Sequence, residues 1–258
     1  MHQGMKRCFV VLVRRNAVLQ VETKLRGVLF DLDNTLVHRS RSIARYAERF
    51  SADFAERLEL VLPALTARLI DAEDNGGYLP PGSRFPTIGD AVAQSLAVNL
   101  RWNSAVETEE LVQHWRTFFP ACAVEMDGAE ALVDALVSQG LVVGIVSNGA
   151  ERSRRETVAR LSFRRHVTTV LSSERAGVKK PDSRIFTQAA TELGLANTQS
   201  VFVGDHPLND VKGALESGMS AIWLRGFHCW PNNLAATVPV ASSLLEVGNH
   251  IARMHRVR

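Results

Sequence analysis

The two aspartates in Asp31-Leu32-Asp33 are the residues of this sequence most able to do chemistry. They directly follow the apolar run at residues 27–30, which predicts a buried strand. Residues i and i+2 of a strand point to the same side, and open α/β sheets bind ligands at the carboxyl ends of their strands. Two neighbouring carboxylates repel each other unless a cation lies between them or one holds a proton. We therefore expect a cation or proton-transfer site here, with the Thr35 hydroxyl in the turn that follows.

Two later turns place polar groups where an anion could bind. Ser147-Asn148 follows the apolar run at residues 142–146, and a hydroxyl with backbone N–H groups in a flexible turn can hold an anion. Lys180 lies directly before Pro181, at the predicted start of a helix. Taken singly, these segments are more typical of an ordinary strand-to-helix turn and a solvated loop. In such a loop, Lys179 is the neighbour most easily confused with Lys180.

A second acidic segment follows the apolar run at residues 201–203. Gly204-Asp205 ends this predicted strand, and Asp210 follows five residues later. Asp205 is expected to converge with Asp31 on one site. Asp210 has an alternative interpretation at a helix start, where Asn209 would be the N-cap residue and the helix dipole would favour Asp210 in the first turn.

In this order along the chain, the four segments resemble the four motifs of the haloacid dehalogenase-like (HAD) superfamily. The first, from Asp31 to Thr35, fits the pattern DxDx[TV]. The second and third are represented by Ser147 and by Lys180 before a proline, and the segment from Gly204 to Asp210 resembles GDxxxxD. The resemblance covers about residues 25–250.

The resemblance also implies a role for each motif residue. Asp31 would be the nucleophile, and Asp33 would be the general acid and base. The residues implied to bind the phosphoryl group are Thr35, Ser147, Asn148 and Lys180. The implied metal ligands are Asp31, Asp205 and the backbone carbonyl of Asp33, with Asp210 orienting Lys180 or the metal's waters. Oxygen ligands of this kind suit a hard cation, and we expect Mg²⁺.

The elements that must position these residues alternate between strands and helices. Short apolar runs lie at residues 27–30, 142–146, 167–171, 201–203 and 221–224, separated by helical patterns. This alternation predicts a doubly wound parallel α/β sheet. Residues 40–124 contain helical patterns instead, at 42–74, 88–99 and 107–118, and resemble the C1-type helical cap of the family. We predict an N-terminal extension (1–24), a hydrolase core (25–39 and 125–258) and the cap (40–124).

Composition excludes several classes of protein. The net charge is only +3, without a basic block, so we expect no nucleic-acid partner. No apolar run approaches the roughly 20 residues of a membrane span. The three cysteines are far apart and odd in number, which is typical of reduced thiols in a cytoplasmic protein.

Together these features predict a Mg²⁺-dependent phosphatase that acts on a small phosphorylated metabolite, either a sugar phosphate or a nucleotide. The resemblance extends to proteins of the N-acylneuraminate-9-phosphatase type. The alternatives are a 2-haloacid dehalogenase and a non-catalytic binding or regulatory protein on the same fold. Phosphatases of this type often have an acid where this chain has His38, followed by Arg39, so charge at the cap hinge is reversed. The sequence fixes neither the substrate nor the oligomeric state.

Overall fold

A parallel sheet forms the centre of the protein, seen here in a computed structural model that describes residues 24–80 and 82–256. The predicted extension at residues 1–24 lies outside this part of the chain, apart from Lys24. The strands are β1 (Gly27–Phe30), β2 (Val142–Ser147), β3 (Val167–Ser172), β4 (Ser200–Gly204), β5 (Ser220–Leu224) and β6 (Val240–Ala241). Their order is β3-β2-β1-β4-β5-β6, and every neighbouring pair is parallel. The predicted doubly wound α/β fold is confirmed.

Both faces of the sheet are covered, which explains why its strands are continuous apolar runs. Val28 and Phe30 contribute to the hydrophobic cluster on one face, and Leu29 contributes to the cluster on the other. The flanking helices are α5 (Ala129–Ser138), α6 (Glu151–Val158), α7 (Ser173–Ala176), α8 (Ser183–Glu192), α9 (Gly213–Glu216) and α10 (Leu244–Arg256). The order of strands reverses at β1, and a crevice at such a point is where α/β sheets bind ligands.

Four helices between β1 and β2 form a separate packed unit, which we call the cap. They are α1 (Arg39–Asp53), α2 (Pro63–Asp74), α3 (Ile88–Asn99) and α4 (Thr108–Phe118). The cap has its own hydrophobic cluster, with Tyr46, Phe50 and Leu96 fully buried in it. Pro63 is the first residue of α2, a position where its missing N–H costs no hydrogen bond.

The chain enters and leaves the cap at one place. Val37 pairs with Glu125 as an isolated antiparallel bridge. The backbone N–H of His38 donates to the Val124 carbonyl at 2.8 Å, and that of Met126 donates to the Leu36 carbonyl at 2.9 Å. The two connections therefore form a short paired hinge immediately after the Asp31–Asp33 segment.

Two local predictions about helix starts need correction. The helix after Lys180 is α8, which begins at Ser183 with Asp182 as its N-cap, two residues later than predicted. After β4, the N-cap is His206 rather than Asn209: the His206 Nδ1 accepts from the backbone N–H groups of Leu208 and Asn209. In both places a side chain earlier or later than the expected one satisfies the free N–H groups of the first turn. Within the described residues, the structure has no helix long and apolar enough to cross a membrane.

Candidate active site

Lys180 lies between two carboxylates at the carboxyl end of the sheet. Its Nζ is 2.6 Å from Asp31 Oδ1 and 2.6 Å from Asp210 Oδ1, and the Lys180 side chain is 1% exposed. Burial alone would lower the pKa of Lys180, but Asp210 and Asp31 outweigh burial and raise it. Lys180 is therefore a fixed positive charge beside the Asp31 carboxylate.

Asp31, Asp205 and Asp210 form a buried acidic group whose ligand oxygens all lie within 4.8 Å of one another. Burial, with the charges of Asp210 and Asp31, raises the pKa of Asp205 to about 9. Burial also raises the pKa of Asp31 to about 7; Lys180 opposes this change and Asp210 adds to it. One ammonium group is thus too little positive charge for three carboxylates in this space.

The acidic group fits a hard divalent cation. Asp205 Oδ2 is buried and has no hydrogen-bond partner among the described residues. An unpaired buried oxygen of this kind is costly, and a bound cation would satisfy it. Because the available donors are carboxylate oxygens, they suit Mg²⁺ better than a soft metal.

Asp33 is held by two arginines. Its Oδ2 is 2.9 Å from Arg39 Nη1 and 2.7 Å from Arg154 Nη1. Burial alone would raise the pKa of Asp33, but the charges of Arg154 and Arg39 outweigh burial and lower it. The second aspartate of the pair therefore occupies a different electrostatic environment from Asp31, although the two are only two residues apart.

Of the remaining residues predicted to bind phosphate, Ser147 and Asn148 line the cavity and Thr35 does not. Ser147 ends β2 and lines the site cavity, as does Asn148. The Asn148 side chain is already bonded to the backbone of Lys180: it accepts from the N–H at 2.8 Å and donates to the carbonyl at 3.1 Å. Thr35 is fully buried, its hydroxyl has no partner among the described residues, and it does not line the cavity. Asn148 thus positions Lys180 with its side chain and retains its second amide hydrogen for a ligand.

The cap closes the cavity from above. The core residues that line it are Asp31, Asp33, Ser147, Asn148 and Asp205, and those of the cap are Gly76, Gly77 and Tyr78. We call residues 75–78 the cap loop. The free space inside is about 20 Å³, roughly room for a single water molecule. A larger ligand can therefore enter only when the cap loop moves.

Sequence reasoning missed the arginines on Asp33 and the residues around Tyr78. Residues 75–82 are rich in glycine and proline, which predicts a loop, but nothing in this composition indicates that part of the loop lies over the site. Tyr78 packs on His206 and His228, with ring centroids 5.0 and 5.4 Å away. The His228 Nε2 is 3.5 Å from Asp205 Oδ2. No local spacing could have indicated these contacts, because they join the cap to loops of the core.

Comparison with known proteins identifies relatives of this chain. Residues 25–218 match the family of haloacid dehalogenase-like hydrolases. A glyceraldehyde 3-phosphate phosphatase of Methanopyrus kandleri is 34% identical over 202 residues, covering 78% of this chain and 84% of the relative. A phosphoserine phosphatase of Thermus thermophilus is 33% identical over 121 residues, 47% of this chain. That match spans about half of the relative, 46% of its length.

Solved structures share the fold at lower sequence identity. A putative HAD-hydrolase of Bacillus subtilis bound to magnesium has a TM-score of 0.66 and 17% identity, covering 91% of this chain and 100% of its own. A dehalogenase has a TM-score of 0.64 and 18% identity, covering 88% of this chain and 96% of its own. At these identities the similarity shows a shared fold and does not assign an activity.

Proposed function

Since this chain belongs to the haloacid dehalogenase-like hydrolases, we propose that it hydrolyses a small phosphomonoester through a phosphorylated intermediate on Asp31. The observation that supports this proposal most is the pairing of Asp31 with Lys180, because Asp31 lines one cavity together with a second acid, Asp33. The relatives from Methanopyrus kandleri and Thermus thermophilus are both phosphatases of small phosphorylated compounds.

In the first step, a carboxylate oxygen of Asp31 attacks phosphorus and the bond to the leaving oxygen breaks. Lys180 balances the negative charge on Asp31 and on the transferring group, and Ser147 would donate a hydrogen bond to a phosphoryl oxygen. Asp33 gives the leaving oxygen its proton, and the two arginines that lower its pKa then stabilise the carboxylate that this transfer leaves. In the second step, Asp33 takes a proton from water, the water oxygen attacks phosphorus, and phosphate leaves Asp31.

We propose Mg²⁺ as the cation, held by Asp31, Asp205 and the backbone carbonyl of Asp33. When bound, it would screen the repulsion between the Asp31 carboxylate and the phosphate dianion. The unpartnered oxygen of Asp205 supports this assignment. Asp210 does not need to contact the ion, because one of its oxygens already accepts from Lys180 and the other from the His206 backbone N–H. Its proposed role is to hold Lys180 in place.

The presence of Asp33 favours phosphoryl transfer over dehalogenation. A halide leaves carbon without needing a proton, whereas an alkoxide leaving phosphorus needs one. The complete set of Asp31, Lys180 and Asp205 likewise argues against a non-catalytic protein, since simple binding requires no nucleophile next to a fixed cation. We retain a sugar phosphate or a nucleotide as the substrate and the cytoplasm as the location.

A substrate panel tests the proposal directly. Purified protein is incubated with phosphorylated metabolites, 4-nitrophenyl phosphate and a 2-chloroacid, with Mg²⁺ or with excess chelator, and phosphate and chloride are measured. We expect phosphate release that requires the cation and is absent in Asp31→Asn. Chloride release at a rate comparable to phosphate release would overturn the proposal, and so would full phosphatase activity in chelator.

A further inference from the structure

Arg39 follows His38, which stands where phosphatases of this type often have an acid, and the structure shows which groups pair with the Arg39 charge. It is the first residue of α1, directly after the paired hinge, and is 4% exposed. A guanidinium group in such a place needs partners, since an unpaired buried charge is strongly destabilising. Both of its partners are acids, one in the core and one in the cap.

The contacts of Arg39 form a continuous chain from the catalytic acid to the cap loop. Its Nη1 is 2.9 Å from Asp33 Oδ2. Its Nε and Nη2 donate to the two oxygens of Asp74, at 2.7 and 2.5 Å. Asp74 is the last residue of α2, and its Oδ2 also accepts from the backbone N–H of Gly77 at 3.0 Å. Gly77 lies in the cap loop and lines the cavity.

This geometry requires an arginine. The planar fork of the guanidinium group binds both Asp74 oxygens and still presents a third nitrogen to Asp33. A lysine has a single ammonium group and cannot hold both carboxylates in fixed orientations. A second contact joins the same two regions, as the Asn34 amide donates to the Gly76 carbonyl at 3.4 Å.

We propose that Arg39 is a positioning residue that couples the closed cap loop to the orientation of Asp33, the general acid and base. When the cap loop is in place over a substrate, Asp74 holds Arg39, and the ion pair between Arg39 and Asp33 Oδ2 fixes the orientation of the Asp33 carboxyl group. Arg154 holds the same oxygen from the core, independently of the cap. The inference rests on the proposed phosphatase function.

The competing explanation is that Arg39 only stabilises the cap. A single substitution that removes one charge cannot separate these two explanations, because it leaves the partners of that charge buried and unpaired. The double variant Arg39→Met with Asp74→Leu removes both charges and retains side-chain volume, a type of replacement that buried ion pairs often tolerate. Arg39→Lys keeps the charge without the fork. The matched control is Arg41→Gln on the same helix, whose exposed side chain pairs with the exposed Asp127.

The test compares two leaving groups in the magnesium-loaded protein. The leaving oxygen of an alkyl phosphate needs a proton from Asp33. The 4-nitrophenolate leaving group is far more stable as an anion and depends much less on protonation. In the double variant we expect kcat for the alkyl ester to fall about 100-fold or more, as expected for misplaced proton transfer. For the aryl ester we expect a fall of less than about tenfold. Asp33→Asn should show the same pattern, and Arg41→Gln should match the parent.

Two further measurements exclude a purely structural effect. The double variant should unfold cooperatively and bind Mn²⁺, measured by electron paramagnetic resonance, within about twofold of the parent affinity. Equal losses on both esters, or parental rates on both, would overturn the role of Arg39. The proposed function would fail in a different way: the parent itself would release no phosphate from either ester. If the double variant does not fold, Arg39→Lys provides the same comparison.

Discussion

The acidic group of Asp31, Asp205 and Asp210 leads to a prediction about stability that needs no substrate. The pKa of Asp205 is raised by burial from 3.8 to about 9, and that of Asp31 from 3.8 to about 7. In protein freed of divalent cations, Asp205 and Asp31 therefore keep their protons in the folded state at pH values where the unfolded chain has already released them. Stability from this group is greatest below the unfolded value near pH 4. It falls as pH rises through 7 and 9.

The size of the effect follows from the same values. Raising the pKa of Asp205 from 3.8 to about 9 corresponds to a free-energy cost of about 7 kcal/mol for ionising this side chain in the folded state. Water entry and structural relaxation reduce this cost. A divalent cation reverses the effect, because it stabilises the ionised carboxylates. At 100 times its dissociation constant it contributes about 2.7 kcal/mol. For a chain of this length that corresponds to about 5–10 °C in Tm.

Thermal unfolding measures both effects. We expect Mg²⁺ to raise the Tm of the parent, and to do so more at pH 8 than at pH 5. In chelator at pH 8, Asp205→Asn should be more stable than the parent, with a smaller difference at pH 5, and it should lose most of its response to Mg²⁺. Taking the difference between variant and parent cancels the other titrating groups. An Asp205→Asn protein that is less stable than the parent in chelator at pH 8 would refute this reasoning.

Three further predictions concern activity. Asp31→Asn should abolish turnover and leave the Tm within a few degrees of the parent, as an amide is a poor nucleophile but still fits beside Lys180; measurable turnover would exclude Asp31 as the nucleophile. Lys180→Ala should lower kcat by at least about 100-fold, whereas Lys179→Ala, at an exposed position, should change it little; the reverse order would assign the charge to Lys179. Gly204→Ala should lower kcat without removing any reacting group, because the added methyl would collide with the Asp210 carboxylate that holds Lys180. Retained activity would show that Asp210 can move freely.

Much of the fold could be predicted because its signals are local. β1, β2, β4 and β5 each contain a continuous apolar run, and β3 is mostly apolar. Gly140 and Gly194 each follow a helix and have the positive φ that suits glycine. Weaker signals were missed. β6 has only two residues, Val240 and Ala241, and α6 has the strongly polar sequence ERSRRETV. Such segments owe their structure to tertiary packing.

For the candidate site, too, the residues with local sequence signals were predicted and those brought in by tertiary packing were not. Residues at strand ends, such as Asp31, Ser147 and Asp205, were expected together because parallel strands bring their carboxyl ends to one edge. The arginines on Asp33 were not expected. Arg154 approaches from a helix 121 residues further along the chain, and Arg39 points back from the hinge.

The paired hinge has a consequence for how the chain folds. β1 and β2 are neighbours in the sheet, yet residues 31–141 separate them, so β1 must find a distant partner. The cap has its own hydrophobic cluster, and its two ends meet where Val37 pairs with Glu125. If the cap folds first, the loop between β1 and β2 shrinks to residues 31–37 and 125–141. That change lowers the entropic cost of closing the loop by about 1 kcal/mol. The insertion that covers the site would then also speed assembly of the sheet beneath it.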